Sequence, residues 1–223
     1  LGDIVGRTVA MRGHLAQTRT EFEQTCRRAD DLERSVSELS NELNETRGLE
    51  MTDQVTAMLN RRGLGVAYQE LLAECTLKQK PLAVVLLDLD HFRSLNDAQG
   101  AHAGDEALHY FAAAIRGQLR PSDRCSRYDG DEFVLLLPGV SAETALDILK
   151  RLQRVVVERT LVYNEGEINL SFSAGVAVAE PGMPLEEVVH RADDALYEAK
   201  LAGRNRVCAY KGTSSGQRQP ATA

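Results

Sequence analysis

The chain has 223 residues, 43% hydrophobic and 26% charged, a balance that fits a soluble globular fold and excludes a fibrous or wholly disordered chain. Its net charge of −7 argues against a surface for a nucleic-acid polymer, while a small anionic substrate stays compatible where cations and local basic residues receive it. The four cysteines (Cys26, Cys75, Cys125, Cys208) lie far apart and form no metal-ligand pair, which reads as free thiols in the cytoplasm, and no run approaches the roughly 18 apolar residues of a membrane span.

Residues 1–50 carry a heptad pattern. Leu15, Phe22, Ala29, Val36 and Leu43 recur at seven-residue intervals, and Thr18, Thr25, Leu32, Leu39 and Thr46 follow three residues behind. The pattern predicts a parallel two-stranded coiled coil and hence a homodimer, since a lone helix this long leaves its stripe in water. A single amphipathic helix folded back on the rest of the chain is the alternative. Threonines at three d positions weaken the seam, which suits shifts of register that pass on a signal. The chain starts at Leu1 rather than Met, and an upstream sensor is expected to be missing from it.

After Gly48 the pattern changes. Leu82 to Leu87 reads as a buried strand ending at Asp88-Leu89-Asp90, and Ala103 to Leu119 as a helix. Arg127 to Leu137 reads as two strands joined at a tight Asp129-Gly130 turn. Ser141 to Arg159 is a predicted helix, with Ser141 as its N-cap and Glu143 in the first turn. Ile168 to Val178 alternates as a strand, then leads through Pro181 and Pro184 into a helix over Leu185 to Leu201 and a short strand over Arg206 to Tyr210. The tail from Gly212 holds nothing to bury and is expected to be disordered. The expectation is an α/β (α+β) fold with helices against a single sheet, organised as 1–50 coiled coil, 51–211 globular domain and 212–223 tail.

Two acidic groups stand at strand ends: Asp88 with Asp90, and Asp131 with Glu132. Either of the first pair alone reads as an ordinary solvated acid. If the two strands are neighbours the groups converge, and converging carboxylates resist ionising together unless a cation such as Mg²⁺ lies between them. Lys200 and Arg204, four apart before and after Gly203, suit a polyphosphate on one helical face, or else a helix dipole. Asn96 and Asp105 offer an amide and a carboxylate suited to a purine edge.

From Asp53 to Tyr210 the chain resembles the GGDEF diguanylate cyclases. The resemblance rests on six segments in the family's order: D-Q-V-T-A-M-L-N-R-R (Asp53–Arg62), D-L-D-H-F-R-S-L-N-D (Asp88–Asp97), G-A-H-A-G-D (Gly100–Asp105), D-G-D-E-F (Asp129–Phe133), S-A-G-V (Ser173–Val176) and K-L-A-G-R-N (Lys200–Asn205). It implies a central, mostly antiparallel sheet of the palm or nucleotidyl-cyclase kind, and condensation of two GTP across a homodimer into cyclic di-GMP and two pyrophosphates. The metal would be Mg²⁺ or Mn²⁺, two per active site, held by Asp88, the Leu89 carbonyl, Asp131 and Glu132. Asp88, Asp131 and Glu132 would be catalytic. Asn96 and Asp105 would read guanine, while Lys200, Arg204 and Arg93 would hold phosphates beside Asp129 and Gly130. Arg120 and Asp123 match an RxxD site at which cyclic di-GMP inhibits, with Arg151 a further product-binding residue; a local surface ion pair is the plainer reading of Arg120 and Asp123.

The chain departs from the family pattern in four places. Asp129 stands for the leading glycine of the signature, adding bulk and negative charge where the backbone would approach the nucleotide. This favours, as an alternative, an impaired domain that only binds or senses GTP or cyclic di-GMP. Ala57-Met58 replaces Gly-Leu, expected to be a packing matter; Gly100-Ala101 replaces Gly-His; and Arg93 replaces a lysine.

Overall fold

The computed structural model describes residues 51–158, 160–164 and 166–212, so the expected coiled coil and the tail beyond 212 lie outside the described residues. The chain divides into two units, Leu1–Leu49 and Glu50–Ala223, and the described residues belong to the second.

Helix α1 (Arg61–Leu77) opens on Asn60, whose side-chain oxygen accepts from the Gly63 amide at 3.0 Å. It turns Leu64, Ala67, Tyr68, Leu71, Leu72 and Cys75 inward at helical spacing. Strand β1 (Leu82–Leu89) is apolar through Leu87 and buried on both faces, as a central strand must be. Next come α2 (Phe92–Gln99) and α3 (Ala101–Arg116), separated by Gly100 alone. The β2 (Arg124–Asp129) and β3 (Glu132–Pro138) hairpin leads to α4 (Ala142–Glu158), where Ser141 Oγ accepts from the Thr144 amide at 3.3 Å as an N-cap should. A small ribbon of β4 (Leu161–Tyr163) and β5 (Gly166–Ile168) precedes β6 (Phe172–Ala179), α5 (Leu185–Leu201) and β7 (Val207–Ala209).

The main sheet runs in the order β2–β3–β1–β6–β7. All its neighbours are antiparallel except β6 and β7, so the sheet is mostly antiparallel, as expected. Alternate strand residues feed two cores. Ala83, Val85, Leu87, Phe133 and Leu135 pack against α3 and α4, while Val84, Leu86, Val134 and Leu136 pack against α1 and α5. Phe111 lies edge-on to Phe133 with ring centres 5.1 Å apart and also meets Phe172, each such burial stabilising by about 1.5–3 kcal/mol. A side chain at Gly175 would collide with the Ala192 carbonyl, so this glycine lets the α5 backbone lie directly on β6 and fixes where Lys200 is delivered.

Several boundaries differ from the sequence expectation. Helix α3 starts at Ala101 and stops at Arg116 because Gly117 ends it. The strand expected over Ile168 to Val178 is split, with Ile168 belonging to the β4–β5 ribbon. Helices α1 and α2 had no prediction: Gly63 and Gly65 weaken the propensity of the first, and the second buries no residue fully.

Candidate active site

β1 and β3 are adjacent, and their register sets Asp88 opposite Glu132, so the two acidic strand ends do converge. The connecting turn is Gly130-Asp131, one residue later than predicted. Asp129 is the last residue of β2, paired with Glu132 beyond a register shift that follows Arg127. Gly130 takes a positive φ of 42°, the glycine-first form of a two-residue hairpin turn, and Asp129 has no positive φ to tolerate. The turn is tied from two sides. Leu89 donates its amide to the Asp131 carbonyl at 3.4 Å, and Arg127 Nε donates to the Gly130 carbonyl at 2.7 Å.

Arg127 also pairs with Asp53 at 3.2 Å, linking the turn to the entry segment. Asp53 accepts from the Thr56 amide and hydroxyl, each at 2.7 Å. Burial pushes the Asp53 carboxyl up, but the Thr56 bonds and Arg127 outweigh it and hold the group below the ordinary carboxylate value. Ala57, which closes this turn, has φ of 53°, so alanine for glycine here is a conformational departure, while Met58 is buried in the core and its departure is a matter of packing, as expected.

Burial raises the Asp131 carboxyl, and the nearby Asp88 charge raises it further. Glu132 is raised by burial first, then by Asp88 and Asp193, with Asp129 adding to them. The counter-charge is Lys200, whose Nζ lies 2.8 Å from Asp88 Oδ2 with both side chains largely sheltered. Among the described residues no three His, Cys, Asp or Glu side chains form a ready-made metal cage. A hard divalent ion that takes one or two carboxylates and completes its shell with water and substrate oxygens nonetheless fits this donor set, because it relieves both the burial and the repulsion.

Asp90 does not join Asp88. It is buried and accepts from Ser173 Oγ at 2.7 Å, Ser171 Oγ at 3.1 Å and the Asn205 amide at 2.9 Å, so its oxygens are spent on the protein. Nor do Lys200 and Arg204 share a helical face. Helix α5 ends with Ala202 as C-cap; Gly203, Arg204 and Asn205 then take positive φ of 113°, 60° and 44°, which carries Arg204 off the helix into an exposed loop. Asp90 pins that loop through Asn205.

Arg93 stands exposed on α2 and Asp105 exposed on α3. Asn96 belongs to α2 and turns its side chain against Gly104 of α3, its Oδ1 buried and without a hydrogen-bond partner. At the α3–β2 connection, Arg120 to Asp123 closes on itself: Asp123 Oδ2 accepts from the Arg120 amide at 2.9 Å, leaving the Arg120 side chain exposed. Arg151 Nε of α4 donates to Oε1 of Gln118, which lies two residues before Arg120, at 2.7 Å. A groove of about 490 Å³ lined by Met58, Arg116, Leu119, Arg120 and Asp123 opens beside the Arg120–Asp123 turn, and Arg151 is not part of its lining. The roles of Arg127 and Asp90 are not legible in the sequence. Only the Asp88-Leu89-Asp90 spacing carried a signal, and it pointed Asp90 to the wrong task.

A mostly antiparallel sheet flanked by helices, with two acidic strand ends beside a lysine, is the palm-like class of domain. The family described as "Diguanylate cyclase, GGDEF domain" matches residues 50–206. Diguanylate cyclase DgcP of Pseudomonas aeruginosa is 33% identical over 180 residues, covering 81% of this chain and 27% of that protein. Response regulator PleD of Caulobacter vibrioides is 32% identical over 210 residues, covering 93% of this chain and 44% of that protein. The coiled coil and GGDEF domain of DgcB from Caulobacter crescentus, solved in complex with c-di-GMP, superposes with a TM-score of 0.72 at 30% identity, covering 82% of this chain and 97% of that one. The chain belongs to the GGDEF diguanylate cyclase family. It spans less than half the length of these two curated relatives. Among the described residues no helix is long and apolar enough to cross a membrane.

Proposed function

We propose that this domain condenses two GTP into cyclic di-GMP, one GTP held by each domain of a homodimer joined through residues 1–50. The observation that carries the reading is the convergence of Asp88, Asp131 and Glu132 on one sheet end, with Lys200 as their counter-charge. Asp88, Asp131 and the Leu89 carbonyl would hold one or two Mg²⁺ or Mn²⁺, with Glu132 assisting; when bound, the metal polarises phosphate oxygens and lowers the pKa of the attacking hydroxyl. Asn96 and Asp105 hold the guanine, and Lys200, Arg204 and Arg93 neutralise the triphosphate. Gly130 leaves open space above the turn for the nucleotide, since nothing lies within 4 Å of where its side chain would be.

Glu132, at the sheet end beside Asp88, would assist at the metal and at the attacking 3′-hydroxyl. The 3′-oxygen of one GTP then bonds the α-phosphorus of the other, the bond from that phosphorus to the bridging oxygen breaks, and pyrophosphate leaves. The mirror-image step closes the ring. Because nucleophile and electrophile sit on different domains, tethering by residues 1–50 raises the effective concentration that the reaction needs. Arg120, Asp123 and Arg151 would bind product and hold the domains apart. A cytoplasmic setting downstream of a separate sensor completes the reading.

The test is to incubate the full chain with GTP and Mg²⁺ and to follow pyrophosphate and cyclic di-GMP. Turnover that disappears in Asp131→Asn and Glu132→Gln supports the proposal, and product inhibition that disappears in Arg120→Ala supports the inhibitory site. GTP binding without pyrophosphate release would replace it with the second reading, a binding module, which the Asp129 charge beside Glu132 favours.

A further inference from the structure

Of the large apolar side chains exposed among the described residues, only Tyr197 and Leu201 lie one turn apart on one helix. They are 62% and 69% accessible, at the C-terminal end of α5. Single apolar residues on a surface need no partner, but a tyrosine and a leucine four residues apart in a helix form a continuous ridge. The same turn carries Lys200, whose Nζ reaches inward to Asp88 at 2.8 Å, so the ridge runs along the flank of the acidic centre. Charge changes sign along this face. Asp193 and Asp194 stand one turn before Tyr197, Asp194 only loosely paired with His190 at 3.6 Å, and the exposed Arg204 and Arg206 follow Leu201.

We propose that this ridge is the face through which two copies of the domain meet to react, their α5 helices antiparallel across a two-fold axis beside Ala199. The inference rests on the cyclase reading, in which nucleophile and electrophile sit on different domains, and names the surface that brings them together. In this arrangement Tyr197 covers the partner's Leu201, Leu201 covers the partner's Tyr197, and Asp194 faces the partner's Arg204. A parallel pair sets acid against acid and arginine against arginine, whereas the antiparallel pair is complementary to itself. A two-fold axis normal to both helices keeps the same flank of each on one side, so the two Lys200–Asp88 centres open side by side. Two side chains from each copy cover far less than the roughly 800 Å² per partner of a stable interface. The contact is transient, made at the local concentration that tethering supplies and released when product leaves.

The experiment measures turnover at saturating GTP and Mg²⁺, affinity for an α,β-methylene GTP analogue, and the melting midpoint, on the full chain, on Tyr197→Phe and on the double variant Tyr197→Ser with Leu201→Ser. The double variant is expected to lose turnover about tenfold or more with analogue affinity and melting unchanged, because both side chains are exposed and act only between domains. Tyr197→Phe keeps the ring and is expected to keep turnover. In a second arm, Tyr197→Cys with Leu201→Cys is oxidised in the presence of analogue and Mg²⁺, and the bridges are identified by mass spectrometry. A bridge from position 197 of one chain to position 201 of another is expected, formed faster than any bridge in a Val66→Cys, Leu77→Cys control. Parental turnover in the double serine variant, a loss of turnover matched by lost analogue binding, or cross-linking no faster than the control would overturn the proposal. So would a bridge from position 197 to Cys26, which would give this face to residues 1–49. If the unaltered chain makes no cyclic di-GMP, the cyclase reading falls, and the bridge still decides whether two copies meet here.

Discussion

Replacing Lys200 with methionine should raise the affinity of the free protein for a divalent metal ion while lowering its affinity for GTP. Lys200 Nζ sits 2.8 Å from Asp88 Oδ2, where it does the work of a cation among carboxylates that repel one another. At an effective dielectric of about 20, two unit charges this close attract by roughly 6 kcal/mol. Dehydration and partial exposure of the pair reduce the net value to about 1–2 kcal/mol. A metal that takes Asp88 must displace the ammonium, so its apparent affinity is reduced by that amount, about five- to thirtyfold. Methionine keeps the aliphatic stem and removes the competitor. Titration with Mn²⁺ in the absence of nucleotide, read by electron paramagnetic resonance, should show tighter binding in Lys200→Met, and melting in chelator should show a less stable protein. Unchanged or weaker Mn²⁺ binding would refute the reasoning, because Lys200 would then not occupy the place of the metal.

The other predictions concern residues around this centre. Asp129→Gly removes a like charge beside Glu132 and, after solvent screening of an exposed group, should tighten Mg²⁺-dependent binding of a GTP analogue about two- to fivefold. Ala57→Gly relieves a left-handed alanine worth about 1–2 kcal/mol, partly offset by unfolded-state entropy, and should raise the melting midpoint by about 1–4 °C in a scanning calorimeter. Asp90→Ala abandons three donors and should cost about 2–4 kcal/mol in denaturant unfolding. In Asp90→Ala, a further Arg204→Ala should weaken analogue binding less than it does in the parent, because the loop presenting Arg204 is already loose. Asp53 has its carboxyl held low in the folded state, so the stability it contributes is present above the ordinary carboxylate range and is lost as pH falls through the lowered value. Asp53→Asn should therefore melt earlier than the parent near neutrality, and the gap should close in strong acid.

The parts of the fold that were legible were those whose signal is local. The run Leu82 to Leu87 needed only its composition to read as a central strand, and α5 needed only its spacing and the prolines before it. The convergence of Asp88 with Glu132 followed once two strands were supposed neighbours, but their adjacency is a long-range pairing that no window of sequence contains. The turn was misplaced by one residue because Asp-Gly is a good turn dipeptide in isolation; the register shift after Arg127 and the Arg127 bond to the Gly130 carbonyl move the turn to Gly130-Asp131. Asp90 reads as a companion of Asp88 because nothing local marks its burial. Its partners Ser171, Ser173 and Asn205 are more than 80 residues away, so its burial could not be foreseen. Counting in fours puts Arg204 on one helical face with Lys200, which fails once the chain enters consecutive left-handed residues.

If the site works as proposed, its electrostatics favour metal and nucleotide arriving together. Glu132 feels the charges of Asp88, Asp193 and Asp129, and Asp131 feels that of Asp88, so a triphosphate approaching alone meets a predominantly negative surface. Lys200 cannot serve that triphosphate while it is spent on Asp88, and a metal alone must evict it. On the proposed function, each would remove the obstacle to the other: a metal held by Asp88 would free Lys200, and the phosphates would give the freed ammonium a new partner. The same account gives Asp129 a graded effect rather than an all-or-none one. It adds one more negative charge to a site already organised around bringing cations and anions in as a unit, so its penalty falls chiefly on the nucleotide without metal and shrinks as metal concentration rises.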